Sequence, residues 1–224
     1  MTCQWFFLQT EHDDPPKAQY LPAMILLLLA CVKDAPTNDT GDISVDLAPI
    51  AKNTAEFPAD QIETLNTVVG VSGSTDWVHG KGYVHADIES TWLAFQDPLV
   101  LLDRRMVSEY EIEWDNRPEY AVSFRTSNVV PNVVTIEFDV DWWQDRVSDE
   151  RIAGRYAKVN GTPFISRMEG GFLLAAVSEN VTSIEIIGEL EAAQRGTDPL
   201  VSYWTDVYGD ALATVHGEDL PELD

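Results

Sequence analysis

The residues best suited to metal binding are two histidines and an aspartate in one short stretch. The positions of His79, His85 and Asp87 differ by even numbers, which places them on one face of a β-strand. Histidine nitrogens together with a carboxylate are typical zinc ligands. The opposite face carries Val84 and Ala86, so we expect the histidine face to meet solvent and to hold no metal.

Acidic residues alternate with apolar residues on two predicted strands. Asp139 and Asp141 share the face of one strand, and Glu109, Glu111 and Glu113 share the face of another. Paired carboxylates perform acid–base catalysis when burial separates their pKa values. The opposite face of each strand is apolar, so we expect these carboxylates to lie on a solvated outer surface.

Two of the arginines in the predicted strands are candidates for charge pairing. We expect Arg125 to pair with carboxylates across neighbouring strands. Arg167 precedes residues 168–171, where a kink in a long strand would turn its guanidinium inward to hold a ligand carboxylate. The alternative for Arg167 is a salt bridge on the outer face. The sequence has no Gly-rich phosphate loop and no His-Glu-x-x-His, Gly-x-Ser-x-Gly or Cys-x-x-Cys motif.

The charge of the chain restricts its partners. Its 224 residues include 38 Asp and Glu against 14 Lys and Arg, which gives a net charge of −24. Nucleic-acid binding needs clustered Lys and Arg to neutralise phosphates, so we expect no nucleic-acid partner. The same charge opposes electrostatic attachment to anionic lipids. No apolar stretch reaches the ~18 residues of a membrane-spanning helix.

An apolar run near the N-terminus ends at a cysteine. Residues 24–30 read MILLLLA and Cys31 follows. The four residues Leu28 to Cys31 resemble the lipobox of bacterial lipoproteins, where the signal peptide is cut before the cysteine and the cysteine is acylated. The resemblance implies a signal peptide over residues 1–30 and a lipid anchor on Cys31, hence a membrane-anchored protein of the cell envelope. A buried strand that ends in Ala-Cys is the alternative.

The start of this signal departs from the usual pattern. Signal peptides begin with net positive charge, whereas the residues before Met24 contain Lys17 and three acids, Glu11, Asp13 and Asp14. A translation start further downstream would account for the difference.

The rest of the chain divides into a tether, a folded domain and a tail. Residues 31–56 are rich in Asp, Thr, Asn and Pro without sustained periodicity, which is typical of a flexible acidic tether. We expect a folded domain over residues 57–217 and an acidic tail over residues 218–224. The helical spacing of Ile62, Leu65 and Val69 predicts a short helix within residues 57–69.

The hydrophobic pattern of the domain predicts one strand, two short helices, six strands and a long helix. Val84, Ala86 and Ile88 alternate as in a strand, and Asp97-Pro98 divides the following helical segment, which reaches Asp103. The final helix begins at Asp198-Pro199 and ends before Gly217. Between them, we expect strands at Ser108–Trp114, Glu119–Ser127, Val133–Val147, Arg151–Val159, Thr162–Val177 and Thr182–Ala192.

Two of these strands are too long to be straight. A strand of 15 residues would span ~50 Å at about 3.3 Å per residue, which is wider than a domain of this size. The long strands must therefore bend. Glycines are favoured at bulges and kinks, so we expect the bends at Gly154, Gly170, Gly171 and Gly188.

The order of elements resembles the START-like superfamily, also called SRPBCC or helix-grip. The segment from Gly82 to Trp92 is similar to the opening strand and helix of that family. The resemblance implies an α+β fold in which a curved antiparallel sheet of about seven strands wraps a long C-terminal helix around an apolar cavity. Family members bind lipids, sterols and polyketides; some carry these molecules and others cyclise or hydrolyse them.

Large side chains on the predicted inward faces are the candidates for ligand contact. Aromatic rings with polar tips suit a pocket that orients an amphiphile, although aromatics at these spacings also fill solid cores. We expect an envelope lipoprotein that binds a lipid or other apolar small molecule, without a cofactor. The alternatives are a cyclase, dehydratase or hydrolase of the same fold, and an interaction lipoprotein with a solid core. The candidate residues are Tyr110, Tyr120, Phe124, Phe138, Trp142, Phe164, Arg167, Tyr203 and Trp204.

Overall fold

The computed structural model describes residues 56–222. The predicted signal peptide, Cys31 and all but the last residue of the predicted tether lie outside the described residues. No helix within residues 56–222 has the length and apolar character needed to cross a membrane. The elements are β1 Asn66–Ser72, β2 Thr75–Val84, α1 Ile88–Phe95, α2 Pro98–Leu101, β3 Glu109–Trp114, β4 Val122–Val130, β5 Ile136–Ser148, β6 Arg151–Gly161, β7 Ile165–Ser178, β8 Val181–Ala192 and α3 Asp198–His216.

The strands form one curved antiparallel sheet of eight strands. Their spatial order is β1-β2-β8-β7-β6-β5-β4-β3, so the consecutive strands β3 to β8 form a meander and the β1–β2 hairpin joins its last strand. Helix α3 packs against β2 and β8, and α1 and α2 flank it. We call the face of the sheet that turns toward α3 the inner face. This arrangement confirms the predicted α+β helix-grip architecture, with eight strands rather than about seven.

Capping residues define several of the helix ends. The Asp87 carboxylate accepts a hydrogen bond from the Ser90 N–H at 2.9 Å and so begins α1. The Asp97 carboxylate accepts from the Leu99 N–H at 2.9 Å, and Pro98 is the first residue of α2. Helix α3 ends at Gly217, whose φ of 71° lies in the left-handed region.

The region before the first predicted strand differs from the expectation. The helix predicted within residues 57–69 is wrong, because Asn66–Ser72 forms the edge strand β1. Strand β2 extends from Thr75 to Val84, and Ile88 already belongs to α1. β-branched residues favour a strand here, and Gly73 turns the chain into β2 with a φ of 62°.

The bulges of the long strands lie away from the four glycines expected to bend them. Register shifts that mark bulges occur in the β5–β6 pair, between Asp139 and Val140, and in β7, between Ile165 and Arg167. These shifts leave one strand longer than its partner and bend it locally. The expectation of bulges at Gly154, Gly170, Gly171 and Gly188 is wrong, because these residues keep a regular register, and a kink at them stays a prediction.

The strand glycines instead make room for aromatic rings. A Cβ atom on Gly188 in β8 would lie 2.6 Å from Trp204 Nε1 and 3.1 Å from the Tyr156 hydroxyl. A Cβ atom on Gly154 in β6 would overlap the Phe172 ring. The absence of side chains at these positions lets α3 and the aromatic core approach the sheet backbone closely.

Substitution of Gly188 tests this close approach. We expect Gly188→Ala to lower the free energy of unfolding by about 1–3 kcal/mol, because the new methyl group overlaps the Trp204 indole. The control is Gly209→Ala in α3, where a Cβ atom meets nothing within 4 Å. That change should raise the free energy of unfolding by about 0.5–1 kcal/mol through helix propensity. Urea denaturation measures both, and equal effects of the two substitutions would contradict the packing.

Candidate ligand-binding cavity

A cavity of about 210 Å³ lies between the inner face of the sheet and the first turns of α3. Strands β4 to β8 form one side of it, and α3 together with the loop between α2 and β3 forms the other. Most of the lining is apolar. The lining residues are Leu101, Leu102, Asp103, Met106, Val107, Thr126, Asn128, Val130, Ile136, Phe138, Val140, Trp142, Tyr156, Ile165, Met168, Leu190, Ala192, Pro199, Leu200 and Tyr203.

The sheet wall of the cavity follows from strand alternation. Phe138, Val140 and Trp142 are spaced by two in β5, so their side chains share the inner face. In β4, Thr126 pairs with Val140 and Asn128 pairs with Phe138, which brings these two polar side chains to the same face. The antiparallel register therefore places an amide and a hydroxyl in an otherwise apolar wall.

An aromatic row borders the cavity. Phe124 stacks on Trp142 with 6.2 Å between ring centroids, and Trp142 stacks on Tyr156 at 4.6 Å. Tyr156 in turn contacts Trp204 of α3 at 5.9 Å. The row spans β4, β5, β6 and α3, and only its two middle rings line the cavity. Such ring pairs add to the stabilisation from buried area alone.

The loop between α2 and β3 is fastened to α3. The Tyr203 hydroxyl donates to the Leu101 carbonyl at 2.8 Å. The Arg104 guanidinium donates to both Asp210 oxygens, at 3.0 and 2.6 Å. Arg105 Nε lies 2.5 Å from an Asp206 oxygen. These contacts hold Leu102, Asp103, Met106 and Val107 against the cavity.

Burial disfavours the charged form of each titratable group that lines the cavity within residues 56–222. Burial raises the pKa of the Asp103 carboxyl, and the attraction of Arg105 opposes that shift only in part. Burial also raises the pKa of the Tyr156 and Tyr203 hydroxyls. The cavity wall therefore opposes charge on these three groups.

Asn128 is the buried amide of the cavity wall, with 4% of its surface exposed. Its Nδ2 donates to the Thr126 carbonyl at 3.1 Å, to Thr126 Oγ1 at 3.0 Å and to the Phe138 carbonyl at 3.3 Å. Its Oδ1 is buried and accepts no hydrogen bond from any residue in the described part of the chain.

The structure brings three of the candidate residues to the cavity and places two others at its margin. Phe138, Trp142 and Tyr203 line it. Phe124 and Trp204 are fully buried at the two ends of the aromatic row. Each packs against other aromatic rings and does not line the cavity. Ligand contact by the three lining residues stays a prediction.

The remaining four candidates do not line the cavity. Tyr110 lies on the edge strand β3 and is 43% exposed. Tyr120 precedes β4 and packs against Trp143 on the outer face of the sheet. Phe164 is 43% exposed in the loop between β6 and β7. Arg167 does not turn inward, because its guanidinium is held in ion pairs with Glu169 and Glu189.

Sequence reasoning missed the polar and loop residues of the cavity. The alternation that places Phe124 inward continues through Thr126 and Asn128, so the pattern itself could have identified them. No comparable signal marks Asp103 and Met106, because a loop carries no periodicity. Their position depends on the ion pairs to α3 described above.

The histidines and aspartate of the candidate metal cluster have separate roles. His79 Nε2 lies 2.7 Å from a Glu185 oxygen, and His85 Nε2 lies 2.8 Å from the Gln61 carbonyl. Asp87 caps α1. Within residues 56–222, no three His, Cys, Asp or Glu side chains are grouped as metal ligands.

The predicted pairing of Arg125 with carboxylates is confirmed on the outer face. Arg125 Nε donates to Asp141 Oδ1 at 2.6 Å, directly across the β4–β5 pair. Asp141 is nevertheless only 4% exposed, so its expected solvated position is wrong. Arg125 and Arg117 compensate the buried charge, and the Arg117 guanidinium lies over the Trp143 ring.

Comparison with known proteins gives structural similarity only. No protein-family model matches this chain, and no curated protein matches it. The chain is similar to the Zhui aromatase/cyclase from Streptomyces sp. R1128, with 14% identity, a TM-score of 0.45, and coverage of 64% of this chain and 92% of that chain. It is also similar to the human StarD13 lipid transfer and protein localization domain, with 9% identity, a TM-score of 0.46, and coverage of 70% and 90%.

A third similar structure is truncated norcoclaurine synthase from Thalictrum flavum. It has 15% identity and a TM-score of 0.44, and the match covers 70% of this chain and 99% of that chain. At such identities and TM-scores, none of these similarities bears on the ligand or the reaction of this protein.

The raised pKa of Asp103 predicts a pH-dependent stability. The folded state binds this proton more tightly than the unfolded state, so the free energy of unfolding should fall as pH rises from the ordinary Asp value of 3.8 through the raised pKa. Asp103→Asn should remove this fall and be more stabilising above the raised pKa than below 3.8. Asp219→Asn, in the exposed tail, is the control. Parallel pH profiles of the wild type and Asp103→Asn in urea denaturation would contradict the assignment.

Proposed function

We propose that this protein binds an apolar or amphipathic small molecule, such as a lipid, in the cavity between the sheet and α3. The observation that carries the proposal is the cavity itself, about 210 Å³ of space with a mostly apolar lining. An apolar cavity of about 150 Å³ is large enough to take up benzene. Space of this size in an otherwise close-packed interior argues against a domain with a solid core.

The chemical character of the lining supports an apolar guest. Burial raises the pKa of Asp103, Tyr156 and Tyr203, so the wall disfavours charge on each of these groups. A mostly apolar wall with a few polar groups is typical of a site that binds a small molecule.

We further propose that Cys31 carries a lipid that anchors the protein in the cell envelope. The support is the resemblance of residues 28–31 to a lipobox, followed by an acidic segment rich in Asp, Thr, Asn and Pro. Two or more acyl chains are needed for stable anchoring. The net charge of −24 opposes attraction to an anionic membrane surface, so the lipid would supply the attachment.

Filling the cavity should prevent ligand binding. Val140 is 3% exposed and lines the cavity, so Val140→Phe would occupy the space that a guest needs. We expect it to weaken binding of the neutral fluorophore N-phenyl-1-naphthylamine to the full chain by at least about tenfold. The control is Val129→Phe, which places the same ring on the outer face of β4. Equal affinity of Val140→Phe, the control and the wild type would show that the cavity is not the binding site.

The natural guest can be sought directly. Native mass spectrometry of the purified full chain, followed by organic extraction, should reveal a bound apolar mass that Val140→Phe lacks. A compound that is converted rather than retained would instead indicate an enzyme.

The lipid anchor is tested by labelling. In a bacterial host given radioactive palmitate, the wild-type chain should incorporate label and sediment with membranes. Cys31→Ser should lose both properties, whereas Cys3→Ser should keep them, because Cys3 precedes the expected cleavage site. Label retained in Cys31→Ser would refute the anchor and leave the cavity proposal untouched.

A further inference from the structure

We propose that Asn128 selects ligands with a neutral hydrogen-bond donor, an alcohol or a phenol, by accepting that hydrogen bond at its Oδ1. The inference rests on the proposed function, because it concerns the same cavity. It narrows the class of guest from any apolar molecule to an apolar molecule with a hydroxyl group.

The orientation of the Asn128 amide follows from its neighbours. Its Nδ2 is surrounded by three acceptors, the Thr126 carbonyl, Thr126 Oγ1 and the Phe138 carbonyl, at 3.0–3.3 Å. Exchanging nitrogen and oxygen would bring the amide oxygen against two carbonyl oxygens, which repel it. The donor end is therefore held by β4 and β5, and the oxygen is the end that is left to accept.

The Asn128 oxygen lacks a compensating partner among residues 56–222. A buried carbonyl oxygen without a hydrogen bond carries a desolvation cost equal to a factor of about 5–150 in an equilibrium constant. A guest of hydrocarbon alone would leave this cost in place. A guest with a hydroxyl near Asn128 would relieve it, so the cavity should discriminate between the two.

The other polar groups of the lining are engaged or acidic. The Tyr203 hydroxyl donates to the Leu101 carbonyl at 2.8 Å. The Asp103 carboxyl forms an ion pair with Arg105 Nε at 3.7 Å, although its Oδ1, like that of Asn128, accepts no hydrogen bond within the described residues. The Tyr156 hydroxyl faces the indole nitrogen of Trp204 across Gly188. Asn128 Oδ1 is thus the acceptor of a neutral side chain that the geometry leaves for a guest.

The charge of the lining explains why the hydrogen-bond donor of the guest must be neutral. No lysine or arginine lines the cavity among the described residues. A carboxylate guest would face the Asn128 oxygen without a cation to compensate it. A cationic amine would lose its hydration in a mostly apolar space. A hydroxyl group supplies the hydrogen bond without either cost.

Calorimetric titration of the full chain with 2-naphthol and with naphthalene tests the inference. The two probes share the same apolar rings and differ by one hydroxyl. We expect the wild type to bind 2-naphthol at least about tenfold more tightly than naphthalene, because only 2-naphthol satisfies Asn128 Oδ1. Equal or tighter binding of naphthalene would overturn the inference while leaving the proposed function in place.

Substitution of the amide assigns the preference to Asn128. In Asn128→Leu, the ratio of the two affinities should fall to within about twofold of one, mainly through weaker 2-naphthol binding. Asn160→Leu makes the same change at an exposed asparagine of β6 and should keep the wild-type ratio. A folded Asn128→Leu that keeps the wild-type ratio would also overturn the inference.

Two further outcomes separate this inference from the proposal on which it rests. If Asn128→Leu does not fold, the wild-type preference for 2-naphthol over naphthalene decides the inference alone. If the wild type binds neither probe and also fails to bind N-phenyl-1-naphthylamine, the proposed function falls and the inference falls with it.

Discussion

The contact on which the fold depends is the one between Trp204 of α3 and the backbone of β8 at Gly188. Because glycine presents no side chain there, the indole reaches the sheet and α3 lies close to it. Tyr156 and Trp142 extend this contact across the inner face as a stacked row of rings. The row fills the centre of the interior, so the space that is left lies beyond it, beneath the first turns of α3. The position of the cavity is thus a consequence of where the rings are packed.

A cavity in a protein interior persists only where its walls cannot collapse. Here one wall is the loop between α2 and β3, and the Arg104–Asp210 ion pair attaches it to α3. Asp210 is only 1% exposed, so loss of Arg104 would leave a buried charge without compensation. The ion pair therefore keeps the loop from collapsing into the cavity. In this way a loop that contains charged residues can still form part of an apolar wall.

The sequence predicts the architecture better than it predicts the site. Binary patterning and caps such as Asp97 placed both short helices, the six-strand meander and α3, because local chemistry decides those elements. The β1 strand was missed because the helical spacing of Ile62, Leu65 and Val69 was followed, although the segment is also rich in β-branched residues. Tyr120 and Arg167 were expected inside, yet a loop position and the acidic neighbours Glu169 and Glu189 keep them outside. The position of such a side chain depends on its partners in neighbouring strands. The alternation of residues along one strand carries no information about those partners.

The hairpin of β1 and β2 has a consequence for how the chain folds. Strand β2 pairs with β8, and Arg195 binds Asp76, which lies 119 positions earlier in the chain. The Tyr208 hydroxyl closes a span of 125 positions when it donates to the Tyr83 carbonyl. Contacts between such distant residues must overcome a large loop entropy and are typical of slow folding. The cavity therefore cannot form until nearly the whole domain has been synthesised, and its inner face is exposed to other binding partners until then.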